Sequence, residues 1–132
     1  MTQEDKELLL RDLSARLPYN VICQVEFKEY GKHNSKVMLL SGIFTDEAYF
    51  TTKGGSVYSN EYKPYLFPLS SMTEEQYDEL YIDSRVKNDS IDILDALAND
   101  MDAIDWLNKN HFDYRGLIEK GLAIDATGLN IY

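Results

Sequence analysis

Two histidines, one cysteine and a dense run of aspartates are the residues of this chain with the most chemistry in them. Nucleophilic catalysis needs a nucleophile, a base within reach and a group that orients the base. The bases here are His33, in the polar stretch EYGKHNSK, and His111, at the end of a helical pattern. Cys23 stands on the apolar side of an alternating stretch and reads as a small buried hydrophobe. Ser70 and Ser71 precede a helix start, where serine usually caps, and no G-x-S-x-G occurs. These spacings assemble no triad, so no catalytic residue is assigned.

Carboxylates are concentrated in DSIDILDALANDMDAID, residues 89–105. Asp92 and Asp95 are three apart, as are Asp102 and Asp105, so each pair can share a helix face. The run lacks a Glu-x-x-His or cysteine pair, and NDMDAID has neither the glycine nor the closing glutamate of a calcium loop. It reads as a solvated acidic face, and no metal or cofactor is expected. TTKGGSVYS carries Lys and two glycines but leads into a strand, whereas a phosphate cradle leads into a helix. HFDYRG gathers His111, Asp113, Tyr114 and Arg115, and cap and dipole roles account for His111 and Asp113.

Tyrosine is the unusual residue, with ten copies. Tyr49 and Tyr58 share one face of a hairpin, and Tyr65 can join them from the following strand. Tyrosine is enriched at binding surfaces because a rigid ring carries a polar tip. Trp106, the single tryptophan, falls on the acidic side of its helical pattern. The candidate interaction surface is therefore Tyr49, Tyr58, Tyr65 and Trp106. The doubly capped segment from Phe112 to Leu122 is expected to fold back over the Trp106 ring.

The elements that must position these residues are legible from periodicity. Thr2 caps a helix whose apolar face is Leu9, Leu10, Leu13 and Leu17, and Pro18 stops it. In YNVICQVEFK, Val21, Cys23, Val25 and Phe27 alternate with polar residues, which specifies a half-buried strand. EYGKHNSK reads as a turn, and VMLLSGIFT, apolar on both faces, as a central strand. AYFTTKGGSVYS is a hairpin with a two-residue turn at Lys53-Gly54 or Gly54-Gly55. Phe50, Thr52, Val57 and Ser59 share one of its faces; Tyr49, Thr51, Ser56 and Tyr58 share the other. Residues 62–69 extend the sheet, and Pro64 and Pro68, which cannot donate to a ladder, mark them as an edge strand.

A helix start follows, with Thr73 and Gln76 at capping-box spacing. A longer helix is expected from about Ser90, with Leu94, Leu97, Met101 and Ile104 inward and Asp92, Asp95, Asn99 and Asp102 outward. A short C-terminal helix is framed by Asp113 as a cap and Gly121 at a left-handed C′ position, with Leu122 meeting Leu117.

A chain of 132 residues suits one domain, residues 1–132, of class α+β. The expected order is an N-terminal helix, a four- to five-stranded, mostly antiparallel meander, and two to three helices packed on one face. Apolar residues at 44% and charged residues at 27% are ordinary for a folded chain. No apolar run approaches the roughly 20 residues of a membrane span. The N-terminal sequence has no secretory pattern and Cys23 has no disulfide partner, which points to the cytoplasm. The net charge of −10 opposes non-specific nucleic-acid binding. The nearest thing to a basic patch is Lys28, Lys32, His33 and Lys36, around the expected turn.

Two segments, YKPYLFPLSSMTEEQYDEL and IDWLNKNHFDYRGLIEKGLAIDA, resemble a widespread family of short hypothetical proteins of gut Bacteroidetes and their phages and mobile elements. They cover about a third of the chain. The resemblance implies a cytoplasmic protein of phage or mobile-element type and brings no catalytic or binding residue with it. The expected function is a non-enzymatic module that binds a protein partner. The alternatives are an acidic inhibitor that mimics nucleic acid on a basic protein surface, and a small enzyme of another type. Neither nucleic acid nor membrane is an expected partner.

Overall fold

The computed structural model describes residues 2–44, 47–84 and 101–132. The expected helix start near Ser90 lies outside them, as do Leu94, Leu97, Asp92, Asp95 and Asn99. Helix α1 (Gln3–Arg16) opens with the Asp5 amide donating to the Thr2 hydroxyl at 3.1 Å, as the cap pattern specifies. A 3₁₀ turn containing Pro18 (Leu17–Tyr19) ends it. Five strands follow: β1 (Ile22–Glu29), β2 (Lys32–Ile43), β3 (Ala48–Thr52), β4 (Gly55–Ser59) and β5 (Glu61–Pro68). Helix α2 (Glu74–Ser84) starts with the predicted reciprocal box: Gln76 donates from its amide to the Thr73 hydroxyl, and its side-chain oxygen accepts from the Thr73 N–H. Helix α3 (Met101–Lys109) and two short strands, β6 (Phe112–Asp113) and β7 (Ile124–Asp125), complete the described chain.

The strand order is β4-β3-β2-β1-β5-β6, with β7 also on β5. β1 to β5 pair antiparallel, while β6 and β7 pair parallel to β5. The architecture is α+β, with a mixed sheet larger than the four or five strands expected. β5 is consequently not an edge strand. β1 pairs with it through residues 61–64, then β7 and β6 pair with it through residues 65–68. A two-residue parallel strand carries too little periodicity to be read from sequence, and that is what hid β5's second set of neighbours.

Two further departures have local causes. EYGKHNSK is mostly strand: only Tyr30 and Gly31 turn, at φ of 52° and 75°, and Lys32–Lys36 pair with Val25–Glu29. The result is an arm whose polar residues mimic loop composition, because its tip extends past the ladders to β3 and β5. The register also splits the basic residues. Lys28 faces His33 on one side of the arm, while Lys32 and Lys36 stand on the other, with the Lys36 ammonium 5.9 Å from the Phe27 ring. In the β3–β4 hairpin, Lys53 and Gly54 form the turn, but the positive φ (143°) falls one residue later, on Gly55.

Two clusters hold the fold. Leu9 and Leu13 of α1 pack on the β-sheet side built from Val21, Cys23, Val25, Met38, Leu40 and Phe50, joined by Leu117 and Leu122. The second cluster sits at the end of β5, where Leu80, Ala103, Trp106, Leu107 and Phe112 enclose Phe67. Met101, expected inward, is 79% exposed; α3 turns Ala103, Trp106 and Leu107 inward instead, because Phe112 stacks on the indole. Residues 117–121 form turns rather than a regular helix. They nevertheless close as a Schellman motif, with Leu122 N–H to Leu117 C=O, Gly121 N–H to Ile118 C=O, and Gly121 at φ 74°. Among the described residues, no helix is long and apolar enough to cross a membrane.

Candidate functional site

Strand alternation places Met38, Leu40 and Phe50 on the core side of β2 and β3, so their neighbours face outward. Over the part of the sheet beside β3 and β4 the outward set is Val37, Leu39 and Ser41 on β2, Tyr49 and Thr51 on β3, and Ser56 and Tyr58 on β4; further toward the arm the same side of β2 carries Ser35 and His33. None of the set beside β3 and β4 is ionisable at neutral pH. The register sets Tyr49 directly opposite Tyr58, with ring centroids 4.9 Å apart. Phe44, just past β2, extends the row, its ring 5.7 Å from that of Tyr58. Ser41 and Thr51 share a hydroxyl–hydroxyl bond of 2.8 Å beside them. Val37, Phe44 and Tyr58 remain 46, 53 and 55% exposed. α1 packs on the opposite side of the sheet and α2 and α3 at the end of β5, so among the described residues no helix covers this face.

The four residues singled out from sequence therefore divide. Tyr49 and Tyr58 are together and accessible. Tyr65 is buried, its hydroxyl donating to the Gln24 side chain at 2.7 Å, and β7 runs beside it. Trp106 is buried under Phe112, with ring planes 9° apart and centroids at 5.7 Å. Of the segment expected to fold back over the indole, only its start does so: Phe112 stacks on the ring and Tyr114 joins that cluster, which withdraws Trp106 from the surface, whereas Leu117 and Leu122 pack in the other core cluster beneath α1. Sequence reasoning missed Phe44 and Val37. Their run is apolar on both faces, which normally marks a strand covered on both sides.

A cleft of about 900 Å3 begins beside this face. Phe44 lines one part of it. Gln3, Lys6, Glu7 and Leu10 of α1, Glu47 of the β2–β3 loop, Glu26 of β1, and Asn60, Glu61 and Lys63 at the β4–β5 bend line much of the rest, with Leu9, Gln24, Tyr62 and Ile124 among them. Glu26 is partly engaged, bonding the His33 ring nitrogen at 2.6 Å and the Ser35 hydroxyl at 2.9 Å.

The buried polar residues gather at a different place. Asp12 and Arg16 on α1 pair at 2.7 Å, both without exposure, and Arg16 also donates to the Phe112 carbonyl at 2.5 Å. Arg115 approaches Asp12 to 3.6 Å. The guanidiniums of Arg16 and Arg115 both lie about 5 Å from the Tyr114 ring, whose hydroxyl donates to Asn108. Asp113 accepts the N–H groups of Leu117 and Ile118 at 2.9 Å each, two positions later than the amides a usual N-cap bonds. His111 stacks on Tyr132 with centroids 3.7 Å apart. Burial, and then the nearby Arg16 charge, lower its pKa to about 4, so its ring is neutral at pH 7. Burial raises the Asp12 pKa despite Arg16, and burial pushes the Cys23 thiol well up. HFDYRG is thus one half of this cluster, with Asp113, Tyr114 and Arg115 engaged by groups of the same chain. Asp12 and Arg16 were invisible as partners because they occupy the same helical steps as Leu9 and Leu13.

His33 is exposed on the arm, far in register from Cys23, and Asp102 and Asp105 are exposed on α3. Among the described residues, no group of His, Cys, Asp and Glu is arranged to hold a metal ion. No family model, curated protein or solved structure matches the chain.

Proposed function

We propose that this chain is a non-enzymatic interaction module that engages a protein partner through the outward face of β2, β3 and β4. One observation carries this reading: a tyrosine-rich patch without charged side chains, from Val37 and Phe44 to Tyr58, is exposed among the described residues of a chain of net charge −10. Interface centres are depleted in charge and enriched in aromatic residues, because burying an ion is costly and burying a ring is not. Phe44 and Tyr58 each retain enough exposed ring that burial by a partner would contribute on the order of 1–2 kcal/mol. The buried ionisable groups support a structural rather than catalytic role, since Asp12, Arg16 and Asp113 are occupied by contacts within the chain. The resemblance of residues 62–80 and 104–126 to phage and mobile-element proteins suggests such a setting for the partner.

The test is a double variant, Phe44→Ser with Tyr58→Ser, in cross-linked capture from a native-host lysate. Capture is expected to be lost while the melting temperature stays nearly unchanged. Capture of the same bands by both proteins would refute this role for the face.

A further inference from the structure

We infer that this face and the cleft beside it take a short arginine-bearing segment of the partner protein. The inference rests on the reading above and adds the chemistry of the occupant. Phe44 belongs to both surfaces: it touches the Tyr58 ring and also lines the cleft. Beyond Phe44, among the described residues, the cleft is rimmed by Glu7, Glu26, Glu47 and Glu61 against Lys6 and Lys63. Exposed aromatic rings thus lead directly into a surplus of carboxylates. At about 900 Å3, the cleft suits a few side chains rather than the flank of a folded domain.

Arginine matches this pairing better than lysine. Its planar guanidinium stacks on Phe or Tyr rings and reaches a carboxylate with two parallel N–H groups, whereas an ammonium is a compact, strongly hydrated charge. A nucleic acid would meet the same carboxylates as repulsion. A second copy of this chain is a poorer fit. Its basic arm holds Lys28, Lys32 and Lys36 but no arginine, and its lysines are divided between two faces.

The probe is a fluorescein-labelled pentapeptide alternating Arg with Phe and Leu, compared by anisotropy with its Lys and Glu counterparts at low salt. The Arg peptide is expected to bind, the Lys peptide several-fold more weakly, and the Glu peptide not at all. Glu47→Lys with Glu61→Lys should weaken the Arg peptide about tenfold, the sum of two exposed pairs turned repulsive. Glu7→Lys gives an independent variant on α1, and thermal melting confirms that each variant folds. Equal binding of the Arg and Glu peptides, or no effect of the glutamate variants, overturns the inference. If Phe44→Ser with Tyr58→Ser still abolishes partner capture in that case, the interaction face stands without the arginine preference. A dimer in sedimentation that the glutamate variants dissociate would make the occupant a second copy, which also overturns it.

Discussion

Arg16 and Asp12, one helical turn apart on α1, hold each other at 2.7 Å with no exposure on either side chain. Removing one partner leaves a charge in a medium that cannot solvate it. Asp12→Ala is therefore expected to cost about 3–5 kcal/mol. The double change Asp12→Leu with Arg16→Met removes both charges and should cost less than the single one. Urea unfolding of the three proteins decides it. A single variant within the range of a surface mutation would show that the pair is not a structural anchor.

His111 makes stability depend on acid. Its folded pKa of about 4 lies below the ordinary 6.5. Between these values the unfolded chain binds a proton that the folded chain refuses. Stability is then complete above the upper value and declines as pH falls toward the lower one, by on the order of 2–3 kcal/mol. His111→Asn tolerates the left-handed backbone at φ 64° and should flatten that part of the profile. Parallel pH profiles for the two proteins would exclude His111 as the source.

The Tyr132 hydroxyl stands between β1 and β5. It accepts the Ile22 N–H at 2.9 Å and donates to the Tyr65 carbonyl at 2.7 Å, just beyond the last ladder pair at Cys23 and Pro64. Tyr132→Phe keeps the ring on His111 but removes this bridge, for a loss of about 1–3 kcal/mol. Amide exchange at Ile22 should accelerate selectively. Unchanged exchange there would mean that the strands close without the hydroxyl.

Trp106 is a built-in reporter of the α3–β6 packing. Phe112→Ala removes the stacked ring and should cost about 3–5 kcal/mol. In the still-folded fraction at low temperature, the tryptophan emission should shift to the red. An emission maximum identical to the parent protein would place the indole against some other cover.

Where local chemistry decides a structure, the sequence was readable. Thr2, the Thr73–Gln76 box and the Gly121 motif all follow from spacings of a few residues, and all three are present. The alternation of Val21, Cys23 and Val25 likewise located the core side of β1. What stayed hidden depends on distant neighbours. Whether the second apolar side of β2 is covered or open is not written in β2. That the Tyr65 ring is buried with its hydroxyl on Gln24, 41 positions back, is likewise not written in β5. Asp12 declares itself buried only once Arg115 and Phe112 are in place.

Arg16 finds the Phe112 carbonyl 96 positions along the chain, and Ile22 finds the Tyr132 hydroxyl after 110. A ribosome delivers these partners in that order, with a long wait between them. The β1–β4 meander can assemble on the nascent chain from its own hairpins. Through that interval the Asp12–Arg16 pair has no carbonyl to receive it, and Phe67 has no Phe112 beside it. Contacts of such separation are the slow ones to close. Until residue 112 emerges the later core is unsealed, and a stall before that point would leave that surface open to whatever else is in reach.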